Sequence, residues 1–130
     1  MRISARRLVA CGVMALMAAC SRGSGSSSPG PVDHNLITLA QIREHRFTNA
    51  YEAVAALRSN WLLTRGPDSF SNPSQVLVYF DATRLGGIET LRSIATASVV
   101  SIRYYDGIAA SGRWGLDHGQ GVIFVSSRDP

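Results

Sequence analysis

Three short apolar runs crowd the last third of the chain, and their spacing limits what it can fold into. Val76 to Phe80 (VLVYF) is apolar at every position and rich in β-branched and aromatic residues, which at this length fits a strand covered on both faces better than a helix. Val99 to Asp106 alternates, with Val100, Ile102 and Tyr104 assigned to one face and Ser101, Arg103 and Tyr105 to the other. Val122 to Val125 (VIFV) is again apolar throughout. Glycines punctuate these runs: Gly86-Gly87 predicts a tight turn, and Asp106-Gly107 predicts a capped turn opening a short helix over Ile108 to Arg113. Between the first two runs, Ile88, Leu91 and Ile94 are spaced to face one side of about two helical turns.

In this register the stretch resembles the C-terminal half of the plug domain of TonB-dependent outer-membrane receptors. The matching residues are Val78-Tyr79-Phe80-Asp81, Gly86-Gly87-Ile88, Leu91 and Ile94, Val99 to Tyr104, Ala109-Ala110, Trp114-Gly115 and Gly121-Val122-Ile123. The resemblance implies a small α/β (α+β) domain, a mixed sheet with short helices packed on it. A looser resemblance covers Ile37 to Leu57.

Upstream, two helix starts are written in local chemistry. Thr38 with Gln41 three residues on, flanked by Ile37 and Ile42, makes a capping box with a hydrophobic staple and predicts a helix ending near His45. Asn49 with Glu52 predicts a second helix to Arg58, with Tyr51, Val54, Leu57 or Arg58, and Trp61 on one stripe. Leu62 to Arg65 reads as an edge strand or a helix end, and Gly66 to Ser74 as a turn-rich loop in which Phe70 is expected to anchor on the core, the alternative being an exposed contact residue. The expected domain runs over 32–130, one core's worth of chain.

The N-terminus reads as a targeting segment over residues 1–19: Arg2, Arg6 and Arg7 are followed by an apolar stretch from Leu8 to Met17 and then Ala18-Ala19. That stretch is shorter than the roughly 20 residues a spanning helix needs. Leu16-Met17-Ala18-Ala19-Cys20 resembles the lipobox of Gram-negative lipoproteins, with Met17 where Leu is usual. The resemblance implies cleavage before Cys20, its acylation by palmitate-type chains, and, with Ser21 and no Asp after the Cys, sorting to the periplasmic side of the outer membrane. Residues 20–31 (CSRGSGSSSPGP) form a Ser/Gly/Pro tether with a reach of roughly 20 Å.

Removing residues 1–19 changes what the composition allows. All 13 basic residues are arginine and three lie in the leader, so 10 basic against 9 acidic residues remain, a formal +1. That lacks the clustered positive excess of a nucleic-acid binder. Cys11 falls in the leader and Cys20 carries the lipid, which leaves no thiol for a disulfide, a nucleophile or a metal. His34, His45 and His118 are too scattered for a local zinc signature and are expected at the surface. The glycines of Gly115 to Gly121 precede a strand, whereas phosphate-cradling loops follow one.

No catalytic residue, cofactor or metal site is therefore expected, and the ligand is not written in the sequence. Asp81, at the end of an interior strand, is where an alternative reading as a small envelope enzyme or ligand-binding protein starts. Trp114 is expected to pack under its turn, the alternative being a binding cluster with Tyr104 and Tyr105. A 22-stranded barrel would need over about 200 residues. The expectation is thus a non-enzymatic binding or accessory module, held to the membrane through Cys20 and engaging a receptor barrel or another envelope protein.

Overall fold

β-Branched and aromatic residues at alternating positions build a five-stranded sheet whose spatial order is β1-β4-β5-β2-β3. The strands are β1 (Leu36–Thr38), β2 (Leu77–Phe80), β3 (Thr83–Gly87), β4 (Ser101–Tyr105) and β5 (Val122–Ser126). β2 and β5 run parallel, and the other neighbours are antiparallel. Three α-helices accompany them, α1 (Leu39–His45), α2 (Ala50–Leu57) and α3 (Gly107–Trp114). This computed structural model describes residues 32–64 and 75–128. Residues 1–31 with Cys20, the Gly66 to Ser74 loop with Phe70, and the last two residues lie outside the described residues.

The fold is a mixed α+β domain, the class expected from the resemblance. Its main core lies on one sheet face. Ile37, Val78, Ile102, Tyr104, Ile123 and Val125 project there from four strands and meet Ile42 of α1, Val54 of α2, Trp61 and Leu91, all buried. Trp61 stacks on Tyr104 with ring centroids 5.6 Å apart, an arrangement that adds about 0.5–1.5 kcal/mol to the burial itself. The three ion pairs among the described residues are all solvent-exposed. Each contributes at most about 1 kcal/mol, so apolar burial dominates.

Both N-terminal helices begin where the capping chemistry put them. The Thr38 hydroxyl accepts from the Gln41 N–H at 3.4 Å while the Gln41 side chain accepts from the Thr38 N–H at 3.0 Å. Asn49 Oδ1 accepts from the Glu52 N–H at 3.0 Å. Caps of this kind contribute about 1 kcal/mol each. α2 turns a slightly different face inward: Ala50, Ala53 and Val54 are buried, whereas Tyr51 is half-buried under the Arg92 guanidinium, 3.7 Å from its ring centre. Alanines let the helix backbone approach closely, which rotates the buried stripe away from Tyr51.

Four expectations change. The tight turn falls at Asp81-Ala82, with Asp81 at φ 52°, and Gly86-Gly87 instead close β3 opposite Val78 and Leu77. Aspartate tolerates the left-handed region that such a two-residue connection needs, so the turn did not require glycine. Ile88–Ser93 is a 3-10 helix; its threefold repeat still stacks Leu91 and Ile94 into the core. β4 begins at Ser101 after a 3-10 turn, so Val99 enters the core and Val100 does not share the face of Ile102. Finally, Leu36–Thr38 is a strand; the helix-end reading at Leu62 stands, since Ser59–Leu62 is a 3-10 turn, with Leu63 exposed beyond it.

Gly121 sits at the entry to β5 with φ 100°, and a Cβ there would lie 2.6 Å from Tyr104 Oη and 2.8 Å from the Tyr105 carbonyl oxygen. Its own carbonyl accepts from the Leu77 N–H at 3.1 Å and starts the parallel ladder. Gly121→Ala should therefore destabilise by about 2 kcal/mol or more. Urea unfolding followed by circular dichroism checks this, and an unchanged midpoint would contradict the close approach.

Candidate functional site

The second sheet face carries the side chains of opposite parity, and α3 covers only part of it. Asp106 caps that helix, its carboxylate accepting from the Ala109 N–H at 2.8 Å. Ala110 and Trp114 then press onto Leu77, Tyr79 and Val122. Beyond the helix, two adjoining recesses share Arg113, Phe124 and Ser126. The first opens over β1 and β4, lined also by Leu36, Thr38, Ser101, Arg103 and Tyr105. Tyr79, Asp81, Trp114 and Arg128 line the second.

Aromatic rings form the floor. Trp114 stacks on Tyr79 at 5.2 Å, meets Tyr105 edge-on at 5.1 Å and lies 6.2 Å from Phe124. Arg113, exposed at the end of α3, holds its guanidinium carbon 4.9 Å from the Trp114 ring centre and 5.4 Å from that of Tyr105. Its NH1 donates to Tyr105 Oη at 3.3 Å. Trp114 packs half-buried beneath its helix end, and alternation splits the alternative cluster: Tyr104 points into the main core, while Trp114 packs with Tyr105 on this side. Phe124 and Arg113 complete the group. Phe124 was hidden in an apolar run whose period does not show which residues face outward, and Arg113 carried no local signal.

Two polar groups on this side of the sheet have defined partners. Asp81 Oδ1 accepts from the Ser127 N–H at 2.9 Å, and Oδ2 accepts from the Ser127 hydroxyl at 2.7 Å. These bonds, the backbone N–H first and the hydroxyl second, hold the Asp81 carboxyl below the usual carboxylate range, with the charge of Arg128 helping. Asp81 thus clasps the turn after β2 to the end of β5. His118, expected at the surface, is instead buried. Its Nδ1 lies 3.0 Å from the Gly115 carbonyl oxygen and its Nε2 2.9 Å from Tyr79 Oη. A carbonyl only accepts, so Nδ1 carries a proton and, in the neutral ring, Nε2 accepts from the tyrosine hydroxyl. The 3-10 turn Leu116–His118 folds the ring under Trp114, which single-sequence spacing does not show. His34 and His45 are exposed.

No protein-family model, curated protein or solved structure matches the chain. Among the described residues no group of three or more His, Cys, Asp or Glu is placed to hold a metal ion, and no helix is long and apolar enough to cross a membrane. What the second face offers is recognition chemistry: an aromatic floor, an exposed guanidinium, and hydroxyls from Thr38, Ser101 and Ser126.

Because the folded pKa of Asp81 is lowered, its contribution is present above the ordinary aspartate value of about 3.9 and is lost as pH falls through the folded value. Asp81→Asn keeps a residue that tolerates φ 52° but removes the charge. The variant should melt lower than wild type at neutral pH, with the gap closing on acidification. A gap independent of pH would show that the charge is not what holds Ser127.

Proposed function

We propose that the chain is a non-enzymatic, plug-like binding or accessory module, anchored in the outer membrane through acylated Cys20 and facing the periplasm, that engages a receptor barrel or another envelope protein. The observation that carries the reading is the register of the plug-type motif over 76–128. Three of its parts fall at element boundaries that have a physical reason. The Val-Tyr-Phe-Asp unit is β2 with its clasped turn residue, Trp114-Gly115 ends α3, and Gly121-Val122-Ile123 opens β5 through a close backbone approach.

A partner supplies what this domain lacks. One side of the sheet is sealed by a full core, and the other leaves aromatic and arginine side chains half-covered. The alternative of a small enzyme working through Asp81 draws no support from the site, since both carboxylate oxygens are held by Ser127.

Extraction of the mature protein from its own outer membrane in mild detergent, followed by native mass determination, tests the partner. A complex far heavier than the chain, with a barrel or other envelope protein among its components, is the expected result; a lone monomer would overturn this part of the reading. Cys20→Ala should move the protein from the membrane pellet to the soluble fraction, and its persistence in the washed pellet would overturn the anchor.

A further inference from the structure

The two recesses beside α3 form one trough across β1, β4, β5 and β2, and its charges are arranged as a mosaic. At the β1 end Arg103 reaches Asp33 through one nitrogen, 3.2 Å from the carboxylate. At the β2 end Arg128 acts on Asp81. Arg113 lies between them, and no carboxylate among the described residues pairs with it. It rests instead over Tyr105, Trp114 and Phe124 and donates to Tyr105 Oη, so rings and a hydroxyl hold it, and an anion can bind without displacing a carboxylate of the described residues.

We propose that this trough docks a short acidic peptide segment of the partner protein, with one carboxylate on the Arg113 guanidinium and flanking apolar side chains on Tyr105 and Phe124. The proposal rests on the reading of the chain as a binding module and names the chemistry of its partner. A guanidinium held over aromatic rings presents its planar fork to a carboxylate, and the adjoining rings favour an apolar neighbour over a bare ion. Strand spacing sizes the segment. Four strands span three gaps of about 4.8 Å, roughly 14 Å, the length of about four extended residues.

Charge complementarity favours a peptide over a membrane surface. Asp33 and Asp81 offset Arg103 and Arg128, which leaves the single charge of Arg113 and not the clustered positive excess that an anionic bilayer requires. A segment with one acidic residue between apolar ones matches that single charge.

The test uses the mature, acylated protein in mild detergent and two end-labelled, capped pentapeptides, Ser-Leu-Glu-Leu-Ser and its Gln counterpart, followed by fluorescence polarisation. The Glu peptide should bind saturably and at least tenfold more tightly than the Gln peptide. Arg113→Gln should weaken it at least tenfold and Arg113→Lys by less, whereas Arg92→Gln, on the helical side over Tyr51, should leave it unchanged. Unchanged melting temperatures would show that the variants are folded.

Equal binding of the two peptides, an unaffected Arg113→Gln, or no saturable binding at millimolar peptide would overturn the proposal. So would glutarate competing as well as the Glu peptide, which would assign the trough to small carboxylates. Loss of phosphatidylglycerol-vesicle binding in Arg113→Gln with peptide binding intact would assign it to lipid. These outcomes are independent of the native-mass and pellet experiments, so either reading fails without the other.

Discussion

Parallel pairing of β2 with β5 is the constraint from which the architecture follows. Leu77 faces Val122 across 45 positions of chain, and a parallel neighbour cannot be reached by a hairpin. The chain must therefore leave β2 through the clasped Asp81 turn, run β3 out to the edge, return through 3-10 turns beneath the sheet, and enter β5 from the end at which β2 began. β4 and α3 lie on that return path. Both paired strands become interior, and most of their side chains, Leu77, Val78, Tyr79, Val122, Ile123 and Val125, are buried on one face or the other.

Gly121 is where this pairing is most exacting. The backbone at the entry to β5 passes so close to Tyr104 and Tyr105 that no Cβ fits, and its positive φ aims the carbonyl at the Leu77 N–H. At the opposite end of the pair, Asp81 N–H donates to the Val125 carbonyl at 2.8 Å and the Asp81 carboxylate holds Ser127. The two strands are thus fastened at both ends by groups outside the regular ladder, which fixes their register against slippage.

The sheet's two faces are served unequally, and that asymmetry is what makes one of them interesting. Two helices, several 3-10 turns and Trp61 fill one side with buried carbon. On the other, a single eight-residue helix covers the β2–β5 pair and stops. Tyr105 and Phe124 remain half-covered, and their nearest cation is Arg113, placed by the helix end and by ring packing. The 3-10 turn that follows it tucks His118 against Tyr79, so the floor of the trough is buttressed by a satisfied polar pair.

Local physical chemistry was legible in the sequence wherever it depends on residues a few positions apart. The capping box at Thr38, the Asn49 cap, the Asp106 cap and the alternation of Ile102 and Tyr104 are all short-range, and each occupies the position that its spacing dictated. The apolar runs likewise determined that an α+β sheet domain would form. Tertiary structure alone decided which run lies beside which, because strand order and the parallel pair depend on contacts between residues far apart in the chain. It also decided that β1 exists, since three residues are too few to show a period, that Asp81 rather than Gly86-Gly87 makes the turn, and that His118 is buried. Arg113, Tyr105 and Phe124 come together by the same route: a helix end and two strands meet only when the sheet has closed, and nothing local in any of the three foretells the others.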